Sequence, residues 1–257
     1  MAREQIVVKG IVLRGTDTRE SDKILTVLTA AGKLRVIAKG ARGRRSRVTA
    51  AAQLLAYSEL TVSEKGEWYF LSEASTIALF EGVRQDIELL SLASYFAELV
   101  EAVTLEEMDS GSLLRLLLNA LYALGNLKKP PEQVKAAFEL KVMALTGFEP
   151  LADGCAVCGR PEPEDPVLDI VDGVVRCRRC SGGGQGLAMP LTPGALAALR
   201  YILYGDEKRL YSFRLGEKDL EKLSNAAEAY LHAMLERGFR TLDFYKSLHI
   251  PAIDQKE

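Results

Sequence analysis

Between Lys23 and Ser58 the chain contains no carboxylate, although its 35 Asp and Glu outnumber its 33 Lys and Arg. Histidine is scarce as well: His232 and His249 are the only two, which leaves few side chains that titrate near neutral pH for general acid–base work. Long apolar runs are missing. The most apolar stretch, Leu113–Leu127, is too short to span a bilayer and carries Arg115 and Asn119. Met1-Ala-Arg-Glu-Gln leads straight into strand-like sequence, so no signal peptide is expected. Catalytic signatures are also missing, with no HExxH, nucleophile elbow or glycine-rich dinucleotide fingerprint. Gly32-Lys33 is not a P-loop, because Val27 stands five residues before Gly32 and Leu34 takes the Ser/Thr position. These absences argue for a cytoplasmic, non-catalytic protein with no membrane role.

What fills the acid-free stretch is positive charge. Lys23, Lys33, Arg35, Lys39, Arg42, Arg44, Arg45 and Arg47 lie in it, four of them within Arg42-Gly-Arg-Arg-Ser-Arg47. Like charges this dense repel one another unless an anion lies across them, and phosphate backbones are the commonest such anion. The wider charge distribution agrees. Residues 1–80 hold 13 basic and 8 acidic side chains, a balance of +5, whereas the remaining 177 carry −7. A nucleic-acid-facing N-terminal domain on a body with another task is expected.

The chain is long enough, at 257 residues and 48% hydrophobic content, to bury one or two cores. Its first 75 residues read as strands: Gln5–Leu13, Ile24–Thr29, Lys33–Lys39, Leu54–Ser63 and Glu67–Ser75, the last two joined by the turn Glu64-Lys65-Gly66. In the third, Leu34, Val36 and Ala38 alternate with Lys33, Arg35, Ile37 and Lys39, the period of a half-buried strand. Five short strands suit a small closed barrel, either an OB-fold or an SH3-like one. From Ile77 the apolar period becomes helical, as in Leu89, Leu92, Ala93, Phe96, Leu99, Val100 and Val103. Further helices are predicted over Leu113–Leu124 with Ser112 as cap, over Glu132–Thr146, from Thr192-Pro193 to about Gly205, and over Glu217–Arg237 with Gly238 ending it. Gly182-Gly183-Gly184 reads as a flexible exit loop.

Cys155-Ala-Val-Cys158 and Cys177-Arg-Arg-Cys180 are separated by eighteen residues, the spacing of a tetrahedral Zn2+ site. Four thiolates close the shell, so such a zinc, one per chain, is structural. The alternative is a pair of redox dithiols or unpaired buried thiols. The polar loop Pro161-Glu-Pro-Glu-Asp-Pro166 between the pairs has no core to hold it, which favours the metal.

The basic run has a plain alternative as a solvated surface. Its length, the shared strand face of Lys33, Arg35 and Lys39, and its continuation onto a glycine-containing loop favour a groove that tracks a phosphate backbone. Tyr57, Trp68, Tyr69 and Phe70 are read as core or barrel wall, so backbone contacts should dominate over base stacking. Asp17, Glu20 and Asp22 are the one conceivable carboxylate cluster for a two-metal nuclease, but they flank a turn and read as solvated acids. His232 and His249 are read as surface or packing residues. Arg176, Arg178 and Arg179 bracket the second cysteine pair as a lesser candidate for nucleic-acid or partner contact. An RNA-binding module of transcript or ribosome handling is the competing functional class.

The succession Arg19-Glu20-Ser-Asp22-Lys23-Ile24-Leu-Thr-Val-Leu-Thr29, then Gly32-Lys33, then Ala38-Lys39-Gly40-Ala41-Arg42, closely resembles the N-terminal domain of the RecO family of bacterial recombination mediators. The cysteine quartet is similar to the zinc module that many members carry. The resemblance implies an α+β chain: an N-terminal OB-fold barrel (1–78), a helical domain (79–152 with 188–250) and an inserted zinc module (153–187). It implies a non-catalytic role in DNA repair. Such proteins bind single- and double-stranded DNA, anneal complementary strands and, with RecR, help RecA displace the single-stranded DNA-binding protein SSB, whose C-terminal tail they dock. DNA contact falls by this resemblance on Lys33, Arg35, Lys39, Arg42, Arg44, Arg45 and Arg47, and the setting is the nucleoid in the cytoplasm.

Overall fold

The computed structural model describes residues 5–43, 46–182 and 187–249. Strands β1 (Gln5–Thr18), β2 (Asp22–Thr29), β3 (Gly32–Ala38), β4 (Tyr57–Lys65) and β5 (Trp68–Ala78) close into an OB-like barrel in the order β1-β2-β3-β5-β4. Every pairing is antiparallel except β3 with β5, which run parallel where Val36 meets Tyr69 and Ile37 meets Phe70. β1 is long enough to serve two partners. Gln5–Ile11 pairs with β4 and Gly10–Thr18 with β2, with a register shift between Val12 and Arg14 that bends the strand. Gly10 sits at the crossing, where an added Cβ would lie 2.5 Å from Val27 Cγ1. Inside the barrel pack Val12, Leu25, Val27, Val36, Ala38, Leu60 and Val62, joined by Ala41, Ala51 and Ala52 from the β3–β4 connection. That connection is therefore part of the core.

Two strand boundaries differ from those expected. β1 continues past Leu13 to Thr18 because hairpin pairing with β2, through Thr18 opposite Asp22, replaces hydrophobic burial as the ordering force. β4 begins at Tyr57, after Leu54–Ala56, because Leu55 turns the chain with φ of 61° and donates its N–H to Val12 O at 2.8 Å.

After the barrel come a single helical turn, α1 (Glu81–Arg84), then α2 (Ile87–Val103) and α3 (Gly111–Gly125). Asp86 caps α2 by accepting from the N–H groups of Glu88 at 2.9 Å and Leu89 at 3.2 Å. Ser112, the expected cap of α3, lies inside that helix and accepts from Arg115 Nη2 at 2.9 Å, while Ser110 occupies the cap position. These helices and α7 (Arg240–Ser247) form one compact unit with the barrel, Met1–Asn126 with Phe239–Glu257. α7 lies on α2, with Phe239 edge-on to Tyr95 at 5.5 Å and the Thr241 N–H bonded to Glu98 Oε2 at 3.1 Å. Its eight residues are too short a stretch to give a clear periodic signal in the sequence.

The second unit, Leu127–Gly238, contains α4 (Pro131–Leu145), the hairpin β6 (Pro166–Asp169) and β7 (Val174–Cys177), β8 (Ala188–Pro190), α5 (Pro193–Tyr204) and α6 (Glu217–Leu235). α4 is buried from Gln133 to Met143, because α5 and α6 both pack on it. Its charges are therefore paired inside: Lys135 Nζ lies 2.9 Å from Glu139 Oε1 and 2.8 Å from Glu228 Oε2. Thr192 caps α5 as expected, accepting from the Ala195 N–H at 3.0 Å. α6 ends earlier than expected, at Glu236 with φ of 49° rather than at Gly238, and His232 Nδ1 bonds Arg237 O at 2.8 Å across that turn. Gly183 and Gly184 of the expected exit loop lie outside the described residues. The compact units cut the chain at 126/127 and 238/239, whereas a division by element type would group all helices together.

Candidate nucleic-acid interface and metal centre

The alternation expected of β3 is present: Val36 and Ala38 are fully buried, while Arg35 and the following Lys39 are exposed. The surroundings of these cations are less open than the sequence suggests. Lys33 Nζ donates to the Glu101 carbonyl at 2.9 Å and is half-buried. Arg35 pairs with Glu106 at 3.1 Å, both side chains 57% exposed. Arg42 lies 3.4 Å from Asp17, which also sits 4.0 Å from Lys23 because the two face each other across the β1–β2 ladder. Lys39 Nζ stands 5.5 Å from the centroid of the Phe70 ring. Arg47 is exposed. Arg44 and Arg45 lie outside the described residues. The stretch that is acid-free along the chain is thus flanked in space by acids from β1 and from the α2–α3 connection. Nothing in the linear sequence could have revealed Glu101 and Glu106 as its neighbours.

The connection that carries Lys39, Arg42 and Arg47 is built on a frame. Asp22 Oδ1 accepts from the Gly40 N–H at 2.8 Å, the Arg42 N–H donates to Ser21 O at 3.0 Å, and Thr49 Oγ1 donates to Ala41 O at 2.8 Å. Arg84 holds the far end, donating to Gln53 Oε1 at 3.1 Å and to Leu54 O. Ala41, Ala51 and Ala52 pin the same segment to the barrel core. Asp17 and Asp22 are accordingly structural partners, one of a guanidinium and one of a backbone amide. Among the described residues the one group of side chains gathered for a metal is the cysteine quartet.

The aromatic residues lie on the barrel wall, as expected, but face different ways. Tyr57, Trp68, Tyr69 and Phe70 are all half-buried and none is fully enclosed. Tyr69 packs toward the barrel core; burial first, then Glu64, Glu107 and Glu106, raises its hydroxyl above the usual tyrosine value. Trp68 and Phe70 alternate with it and lie on the outer face.

The four cysteine sulfurs all lie within 4.8 Å of one another. A tetrahedral shell with Zn–S bonds of 2.3 Å places sulfurs about 3.8 Å apart, and Cys158 and Cys177 are at 3.9 Å. Local folding explains the convergence. One pair lies on a turn closed by Gly159 N–H to Cys155 O at 2.9 Å, and the other on a turn closed by Cys180 N–H to Cys177 O at 2.9 Å. The turns are joined because the Ala156 N–H bonds Val175 O of β7 at 2.9 Å. Arg200 of α5 grips the first turn through Ala152 O at 2.7 Å and Glu162 at 2.8 Å. Burial alone would raise the Cys155 thiol, but the N–H groups of Cys158, Cys177 and Val157 outweigh it and bring the thiol down to about 6. Cys180 is pushed up to about 12, first by its bond with the Cys158 thiol and then by burial. Thiols this close cannot all ionise side by side; a divalent cation removes that conflict. The donor set thus fits a metal ion.

The arginines around the second pair divide. Arg176 clamps the β6–β7 hairpin through Asp169 at 2.6 Å and through Asp172. Arg179 is 85% exposed and 3.6 Å from Glu164, and Arg178 is exposed. Among the described residues no helix is long and apolar enough to cross a membrane.

A closed OB-like barrel leading into helices, with a four-thiol cluster inserted, defines a barrel-and-helix protein with a metal-type module. Comparison with known proteins makes the class specific. The family model "Recombination protein O N terminal" matches residues 1–80 and "Recombination protein O C terminal" matches 84–243. The chain is 32% identical over 240 residues to the DNA repair protein RecO of Acetivibrio thermocellus, covering 93% of this chain and 95% of that one. It is 32% identical over 249 residues to the RecO of Symbiobacterium thermophilum, covering 94% and 96%. With the RecO of Caldicellulosiruptor saccharolyticus the identity is 32% over 244 residues, covering 94% and 98%. The chain belongs to the RecO family, and its role is in DNA repair and recombination.

Proposed function

We propose that the protein is a non-catalytic recombination mediator that binds single- and double-stranded DNA through the barrel, anneals complementary strands and, with RecR, helps RecA load onto DNA coated by SSB. The observation that carries this reading is the framed β3–β4 connection, on which Lys39, Arg42 and Arg47 are exposed. Annealing asks little chemistry of a protein. Screening phosphate charge lowers the repulsion between two strands, and base pairing then supplies specificity and free energy. Salt-sensitive contacts to the backbone also let the finished duplex go. The cysteine module is read as a structural Zn2+ site, and docking of the SSB C-terminal tail as the means of recruitment to coated DNA.

The test is DNA binding as a function of salt. Changing Arg42, Arg44, Arg45 and Arg47 together to Ala should weaken binding to all sequences and flatten the slope of log K against log salt by up to about 3 for a single strand. An unchanged slope overturns the assignment of the interface. Annealing of SSB-coated complementary strands, with and without RecR, tests the mediator role directly.

A further inference from the structure

The outer face of the barrel where β3, β5 and β4 lie side by side carries more than charge. Within β5, Tyr69 pairs with Val36 and turns inward, so its neighbours Trp68 and Phe70 point out. Phe70 stands beside Ile37 of β3 and opposite Ser63 of β4, and Trp68 stands opposite Lys65. Two half-buried aromatic rings two residues apart therefore share one strand face. Cations flank them on both sides: Arg35 and Lys39 from the β3 side, Lys65 from β4. Lys39 Nζ lies over the Phe70 ring at 5.5 Å, a cation–π contact on the outer face that a stacked base would take over while the ammonium turns to a phosphate. Neither ring packs against the barrel core, in contrast to Tyr69, Leu71 and Ala74 of the same strand.

We propose that Trp68 and Phe70 form a stacking platform for unpaired bases, so that the barrel's cationic face grips single-stranded DNA better than duplex. This inference rests on the DNA-binding reading above. A row of π-faces edged by ammonium and guanidinium groups matches a strand whose bases are splayed and whose phosphates run alongside. A duplex keeps its bases stacked inside and gains only the cationic contacts. Selectivity of this kind matters for a protein that must engage open strands and release them once paired.

Trp68 is the only tryptophan in the chain, so its emission reports on the platform itself. Adding a thymine oligonucleotide should quench that emission, and a duplex of equal length, bound to the same degree, should leave it nearly unchanged. Phe70→Ala should lower single-strand affinity about fivefold or more and duplex affinity little, narrowing the ratio between them. Trp68→Ala should do the same and Trp68→Phe should restore much of it; thermal melts of each variant identify any that fails to fold, and Phe70→Leu then stands in as the milder change. Single-strand binding that leaves Trp68 emission and the affinity ratio untouched, while Lys39→Ala and Arg42→Ala weaken both DNA forms, overturns the platform and leaves the DNA-binding reading intact. A wild-type protein that binds neither form overturns both.

Discussion

The basic stretch of the barrel and the cysteine quartet of the second unit are both clusters of like groups, and the fold handles them in opposite ways. The cations are dispersed. β3 and its connection send them to different partners, Lys33 to a carbonyl, Arg35 to Glu106 and Arg42 to Asp17. The thiols are concentrated within 4.8 Å of one another, too close for all four to ionise without a cation among them. Dispersal leaves Arg35 and Arg42 each with a surface partner that an incoming polyanion could exchange. Concentration suits a centre whose balancing charge comes from outside and stays. The lesson is that crowding of one kind of group carries no meaning until its compensation is known.

The largest effect should come from breaking the concentrated cluster. Chelation, or Cys177→Ser, removes a site whose metal-binding free energy in comparable modules is of order 10 kcal/mol and is folding free energy. The expected outcome is loss of amide-exchange protection over 155–180, with one zinc per chain lost by metal analysis. DNA binding by the barrel should survive, since the cations lie in the other compact unit. Protection that persists in metal-free protein would make the quartet a thiol cluster of another kind.

Both clusters were legible in the sequence to different depths. Two residues between cysteines fix the bite of each pair through covalent geometry, so the gathering of the four thiols could be read from spacing alone. Alternation likewise fixed the faces of β3. Compensation could not be read, because the Glu106 carboxylate and the Glu101 carbonyl lie some 70 residues from Arg35 and Lys33 and reach them only through tertiary folding. The same limit hid the role of Asp22, which looks like a solvated turn acid until Gly40 is seen to donate to it. Trp68 and Phe70 lie on the barrel wall as the sequence leads one to expect, but which way they face follows only from the register with β3 and β4. α7 escaped because eight residues carry too little period.

A third cluster, mixed in sign, lies between these extremes and should give the second-largest effect. Lys135 is 2% exposed and holds Glu139, fully buried, together with Glu228. Burial alone would lower the Lys135 pKa, but the two carboxylates outweigh it and raise the ammonium above its usual value. Lys135→Met strands a buried carboxylate and should cost about 3–5 kcal/mol in urea unfolding. Changing Lys135 and Glu139 together to Met and Leu should recover most of that loss, because the pair's desolvation disappears with it. If the double variant is as unstable as the single one, the ion pairs themselves, rather than the unpaired charge, stabilise α4.

The smallest effect concerns the dispersed cluster and sharpens it most finely. Glu106 and Arg35 are both more than half exposed, so their pairing contributes about 0–1 kcal/mol to stability. Glu106→Gln should therefore leave the melting temperature within a degree or two. Its consequence should appear in binding. A phosphate that contacts Arg35 in the native protein must first displace Glu106, and in the variant it meets an unopposed guanidinium. Single-strand affinity at low salt should rise about two- to fivefold, with the gain fading as salt screens the exposed pair. Arg35→Ala in the same background should abolish the gain. If Glu106→Gln changes nothing while Arg35→Ala still weakens binding, the carboxylate is a bystander and the cations of β3 are free for DNA despite their partners.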